Sequence, residues 1–181
     1  ENQTAIGTVT VTDVDTLDTS SSFTFAVSGT ELAIDSDGVL TFASAPDYET
    51  KTSFTATVTA SDGAGNSSTQ SITISISDID DEAPVFTSGA TFSADENQSA
   101  IGTVTASDAD NLDTSATISF TVSGDELVID SNGVLTFNSA PDYETKTSYT
   151  TTVTASDGAS NSSTQDITVS INNLNDNSPV F

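Results

Sequence analysis

The sequence predicts an all-β chain folded as two tandem β-sandwiches, and three observations lead there. The chain repeats itself at an offset of 95 residues, its apolar residues alternate with a period of two, and turn-forming clusters separate the alternating runs. Residues 1–86 align with residues 96–181 without a gap, and 61 of those 86 positions are identical. A period of 95 residues exceeds a solenoid unit and is close to one small domain. One sandwich is therefore expected over residues 1–80 and a second over residues 81–181.

Along the first unit, Phe23, Phe25 and Val27 alternate with polar residues, and Leu40 and Phe42 do the same. Two longer runs follow: Phe54, Ala56, Val58 and Ala60, then Ile72, Ile74 and Ile76. Their counterparts in the second unit include Tyr149, Val153 and Ala155, and Ile167, Val169 and Ile171. Residues two apart in a strand share a face, so each run offers one apolar face to a core. The 32 threonines and 29 serines, spread among Val, Ile and Phe, favour strands over helices. "DSDG" (35–38), "SAPD" (44–47) and "DGAGN" (62–66) mark turns. About seven short strands per unit suits an antiparallel sandwich of immunoglobulin type. The second unit opens on "PVFTSGATFSAD" (84–95), which should supply its first strand. The first unit begins at Glu1 without that piece, so an open sheet edge is expected there.

Composition narrows the function. Twenty-seven acids face two lysines, Lys51 and Lys146, with no Arg or His, for a net charge of −25. Two lysines cannot build a nucleic-acid surface, and an anionic membrane would repel the chain. Without His or Cys there are no disulfides, none of the usual zinc sites, and no Ser-His or Cys-His nucleophile. No apolar run approaches the ~20 residues that span a bilayer. The chain does not begin with Met and reads as a piece of something longer. Its self-repulsion opposes compaction unless cations offset it.

The acids are gathered rather than scattered. "SDIDDEAPVF" (77–86) places Asp78, Asp80, Asp81 and Glu82 within five residues, in chain that the following proline biases toward an extended form. "PDYE" sets Asp47 and Glu49 two apart, and "SDAD" does the same for Asp108 and Asp110. Two like charges 4 Å apart cost roughly 4 kcal/mol at an effective dielectric near 20, so converging carboxylates need a cation or a proton. Ca²⁺ takes six to eight oxygen ligands and suits them. "DSDG" hints at an EF-hand, but its glycine stands at the wrong position and an ordinary hairpin turn explains it. Asn2, Asn66, Asn97 and Asn161 stand in Asn-x-Ser/Thr triplets, which a Ser/Thr-rich chain also produces by chance.

Taken together these stretches resemble the cadherin repeat. "DIDDEAPVF" and "NLNDNSPVF" (173–181) resemble its linker pattern, and "ADENQ" (94–98) its early glutamate motif. "TDVD" and "SDAD" resemble its DxD motif, "PDYE" its LDRE or LDYE motif, and "TASDG" its AxDxG motif. Five motifs occur in order, nearly all of them twice. The resemblance implies Greek-key sandwiches joined end to end, with about three Ca²⁺ at the junction. It implies ligands from Glu1, Asp47 and Glu49, from Asp78, Asp80 and Asp81, and from Asp108, Asp110 and Asp157. Ile79, Glu82 and the neighbourhood of Asn111 would offer carbonyls. Asp13, Asp15 and Asp62 would form an N-terminal half-site. Glu96, Asp142, Glu144, Asn173, Asn175 and Asp176 would form a C-terminal one. Asp80 and Glu82 replace the usual asparagines, and no tryptophan is present for strand-swap adhesion.

The implied function is that of calcium-binding extracellular repeats stiffening a spacer in a cell-surface adhesin. The Thr, Ser and Asp content and near-identical neighbouring repeats resemble the giant surface adhesins of bacteria, which act in attachment and biofilms. The alternative is a module that binds polysaccharide or another copy of itself, with calcium ordering the surface. An enzyme is disfavoured: Asp47 and Glu49 could serve glycoside hydrolysis in principle, but acids on one strand do not flank a substrate.

Overall fold

The computed structural model describes residues 1–14, 23–110 and 117–181, and it divides into two compact units, Glu1–Ile79 and Asp80–Phe181. All regular structure among the described residues is β-strand, and no helix there is long and apolar enough to cross a membrane.

The first unit contains β1 (Ala5–Thr8), β2 (Thr24–Val27), β3 (Leu32–Ile34), β4 (Val39–Phe42), β5 (Ser53–Ser61) and β6 (Ser67–Ser75). They form two antiparallel sheets of order β1-β4-β3 and β2-β5-β6. The alternation seen in the sequence becomes the inner faces. Leu32, Leu40, Phe42, Phe54 and Ala56 form the buried cluster, with Ile6, Val27, Ile34, Ile72, Ile74 and Ile76 packed partly buried around it.

The second unit adds strands at its start: β7 (Val85–Phe86), β8 (Thr91–Asp95), β9 (Ala100–Thr103) and β10 (Ala106–Ser107). It continues with β11 (Ser119–Val122), β12 (Leu127–Ile129), β13 (Val134–Phe137), β14 (Ser148–Ser156) and β15 (Ser162–Asn172). One sheet runs β12-β13-β9 and the other β11-β14-β15-β8, while β7 pairs with β10. β8 lies parallel to β15, from Thr91 opposite Thr168 to Asp95 opposite Asn172. The extra strand deepens the core: Ile167, Val169 and Ile171 are 1%, 0% and 5% exposed, whereas their counterparts Ile72, Ile74 and Ile76 are only half-buried. We expect Leu135→Ala, at a fully buried position of this core, to lower unfolding stability by about 2–5 kcal/mol in urea.

The "DSDG" stretch is a hairpin turn between β3 and β4. Asp35 accepts from the N–H groups of Asp37 and Val39, and Asp130 repeats the arrangement with Asn132 and Val134. Gly133 closes the second of these turns at φ +77°, where a Cβ would lie 2.1 Å from the Val104 carbonyl oxygen. No side chain fits there. Each lysine pairs with a glutamate and lies over an aromatic ring, Lys51 with Glu31 and Phe54, Lys146 with Glu126 and Tyr149. Both pairs are about half exposed, so each contributes no more than about 1 kcal/mol.

Candidate metal centre

Glu1 is a buried anion at the base of the first unit, 9% exposed. Its carboxylate accepts the Tyr48 N–H from the "PDYE" turn and, at 2.8 Å, the Ile79 N–H from the acidic segment. Its own backbone nitrogen donates to the Ser77 carbonyl. The second unit repeats this 95 residues later. Glu96, 2% exposed, accepts from Tyr143 N–H at 2.8 Å and Leu174 N–H at 2.7 Å, and its N–H donates to Asn172. Each glutamate thus pins a turn and an acidic segment to the start of its unit. Two backbone donors per carboxylate make burial tolerable while leaving lone pairs for a further partner.

Around each glutamate other acids close in. Oxygens of Glu1, Asp47 and Glu49 lie within 4.8 Å of one another, and so do those of Glu96, Glu144 and Asp176. Asp142 instead caps its turn, accepting from Glu144 N–H and the Thr145 hydroxyl. Asp47 accepts from the Thr50 hydroxyl and N–H, which hold its carboxyl below the ordinary value of 3.8. Asn97 donates to Asp176 at 2.6 Å, and Asn175 is exposed. Asp78, in the first unit, is half-buried.

The other end of the second unit carries Asp108, Asp110 and Asp157, with the segment that begins at Asp80. Asp110 is 2% exposed and accepts the Glu82 N–H at 3.0 Å, while its own N–H donates to Asp108. One oxygen of Asp157 accepts three turn N–H groups, from Ala159, Ser160 and Asn161. The Asn161 amide reaches Asp80 at 3.3 Å. Asp81 is exposed.

With one oxygen of each carboxylate so held, the second is left over. Asp108 Oδ2, Asp110 Oδ1 and Asp157 Oδ2 are buried and accept no hydrogen bond. Ionised carboxylates are acceptors only, and buried ones without a donor are costly. Three such oxygens on neighbouring motifs form a hard, all-oxygen donor set, which fits Ca²⁺ and does not fit a soft metal.

Asp62 and Asp13, at the corresponding end of the first unit, line one cavity of about 220 Å³. Asp62 is more fully engaged than its counterpart Asp157, because Asn66 gives it both a backbone and a side-chain donor. Asp15 and Asn111 lie outside the described residues. Sequence reading named the acids but missed the donors that aim them. The asparagine four residues after each of Asp62 and Asp157 was the available signal.

The Asp157 carboxyl sits below the ordinary value of 3.8: burial raises it, and the Asn161, Ser160 and Ala159 donors outweigh that. Asp62 is lowered too, chiefly by the Asn66 side chain. A depressed folded value gives stability that is complete above the unfolded value and lost as pH falls through the folded one. Carbon-detected NMR titration should therefore find both midpoints below 3.8, and Asp157→Asn should make stability less sensitive to acid in that range.

Comparison with known proteins follows the same two units. Residues 90–172 match the family model described as Cadherin domain, and residues 1–75 match one described as Bacterial Ig domain. The protocadherin-like wing polarity protein stan of Drosophila melanogaster is 32% identical over 161 residues, covering 80% of this chain and 4% of that protein. Human protocadherin-11 X-linked is 36% identical over 154 residues, covering 80% of this chain and 11% of its own. The chain therefore spans a small part of the relatives it matches. Among solved structures, extracellular cadherin domains 3–6 of protocadherin gamma B2 superpose with a TM-score of 0.68 at 26% identity, over 86% of this chain and 42% of that one.

Proposed function

Since the chain belongs to the cadherin family, as tandem extracellular adhesion repeats, we propose that it is a calcium-stiffened spacer of a cell-surface adhesin. These are adhesion modules and not enzymes. The observation that carries the calcium reading is the set of buried, unpartnered oxygens on Asp108, Asp110 and Asp157. Glu1, Asp47, Glu49 and Asp78 of one repeat, with Asp80, Asp81 and the Asp108, Asp110 and Asp157 set of the next, would supply the ligands of a shared site holding about three ions. Glu96, Glu144 and Asp176, with Asp142 and Asn175 beside them, would serve the following junction. Asp13, Asp15 and Asp62 would serve the preceding one. Bound calcium supplies the positive charge these acids lack. The residues themselves do the rest: the turn donors orient each carboxylate and the buried glutamates fix the acidic segment.

Ligands drawn from two repeats and the segment joining them would limit how the repeats move. Extracellular calcium modules have Kd values of roughly 10⁻⁴ to 10⁻³ M, so saturation outside cells follows. The match of residues 1–75 to a bacterial model, and a charge of −25, support a bacterial surface protein as the source. Small-angle scattering tests the spacer role. An extended, narrow distribution with calcium and a broader ensemble with chelator is the expected result, and superimposable profiles would contradict it. A polysaccharide-binding role would instead give calcium-dependent capture of glycans by the intact chain.

A further inference from the structure

The two units differ where the repeat should make them alike, and the difference has the shape of a strand. In the second unit β8 lies along the outer edge of β15, its Ala94 is 4% exposed, and Phe92 packs against the core. The Thr168 N–H donates to the Ala90 carbonyl at 2.9 Å. The Phe92 ring lies so close to β9 that a Cβ on Gly102 would sit 3.0 Å from it. In the first unit β6 has β5 as its strand partner among the described residues, and a Cβ on Gly7 would meet nothing within 4 Å. A groove of about 200 Å³ stands there, lined by Ile6, Phe42, Ile74 and Ile76 with Gln3 and Pro46.

We propose that this groove is a strand-acceptor site for an extended segment of the β8 type, Thr-Phe-Ser-Ala-Asp. The segment would lie parallel to β6, with its phenylalanine over Gly7 and its alanine against Ile76. The register follows from the repeat: Val169 faces Phe92 and Ile171 faces Ala94, and 95 residues earlier these positions are Ile74 and Ile76. Main-chain pairing supplies affinity and the Phe-x-Ala spacing supplies selectivity. A second copy of the folded chain is a poor donor, because its β8 is already paired with β15. The site does not depend on the calcium reading.

The test uses the intact chain with a synthetic peptide of sequence 84–95, followed by calorimetry and amide hydrogen exchange. The expected result is saturable binding and at least about tenfold slower exchange at Thr73, the counterpart of Thr168. A peptide carrying Phe92→Ala should lose that binding. So should the chain variant Gly7→Leu, whose side chain enters open space in the fold but occupies the aromatic slot. If that variant misfolds, the peptide pair still decides. Absence of saturation, equal binding of the Phe92→Ala peptide, or peptide-independent dimerisation through β6 would overturn the proposal.

Discussion

Asp110→Asn should shift the stability of the second unit in opposite directions with and without calcium. In chelator the substitution removes an anionic oxygen that is buried without a donor, while the amide oxygen can keep the Glu82 N–H. Relieving that penalty should raise stability by about 0.5–2 kcal/mol. In calcium the same change removes one charged ligand, and affinity should fall at least about tenfold, or about 1.4 kcal/mol per site. A structural aspartate whose role ended at the hydrogen bond would show the same sign in both conditions. Thermal unfolding of both proteins, in calcium and in chelator, reads the crossing directly.

The second large effect is expected at Glu96. Replacing it with alanine leaves the N–H groups of Tyr143 and Leu174 without their acceptor. Each orphaned donor costs about 1–3 kcal/mol if water cannot reach it, so a loss of about 2–5 kcal/mol is expected. Gln at the same position can accept one of those N–H groups but presents an amine to the other, and should recover about half. Urea unfolding of the three proteins measures this, and equal stability of Glu96→Ala and the parent would show that the carboxylate does not pin these segments.

Much of this architecture is readable in the sequence, for physical reasons. Alternation at Phe54, Ala56 and Val58, and at Ile167, Val169 and Ile171, dictates which faces go inward, and those residues line the cores. The open edge of the first unit was legible too, because residues 84–95 have no counterpart ahead of Glu1. What the edge does to the core was not legible. Ile72, Ile74 and Ile76 alternate as strictly as their counterparts, and their partial exposure depends on a neighbouring strand rather than on their own pattern.

The acids show a similar division. Their clustering is a property of sequence, but the orientation of each carboxylate comes from backbone donors contributed by other turns. Asp142 illustrates the gap. It stands in the same motif as Asp47, yet it turns inward on Thr145 and Glu144, while Glu144 joins Glu96 and Asp176. Spacing alone does not distinguish a turn cap from a ligand, since both ask for a carboxylate at that place.

Calcium titration of the intact chain by isothermal calorimetry tests the central claim most directly. The account predicts saturable binding in the range of roughly 10⁻⁴ to 10⁻³ M, much weaker binding of magnesium, and a substantial loss of heat in Asp110→Asn. Absence of saturable heat, or an isotherm that Asp110→Asn leaves unchanged, would contradict it.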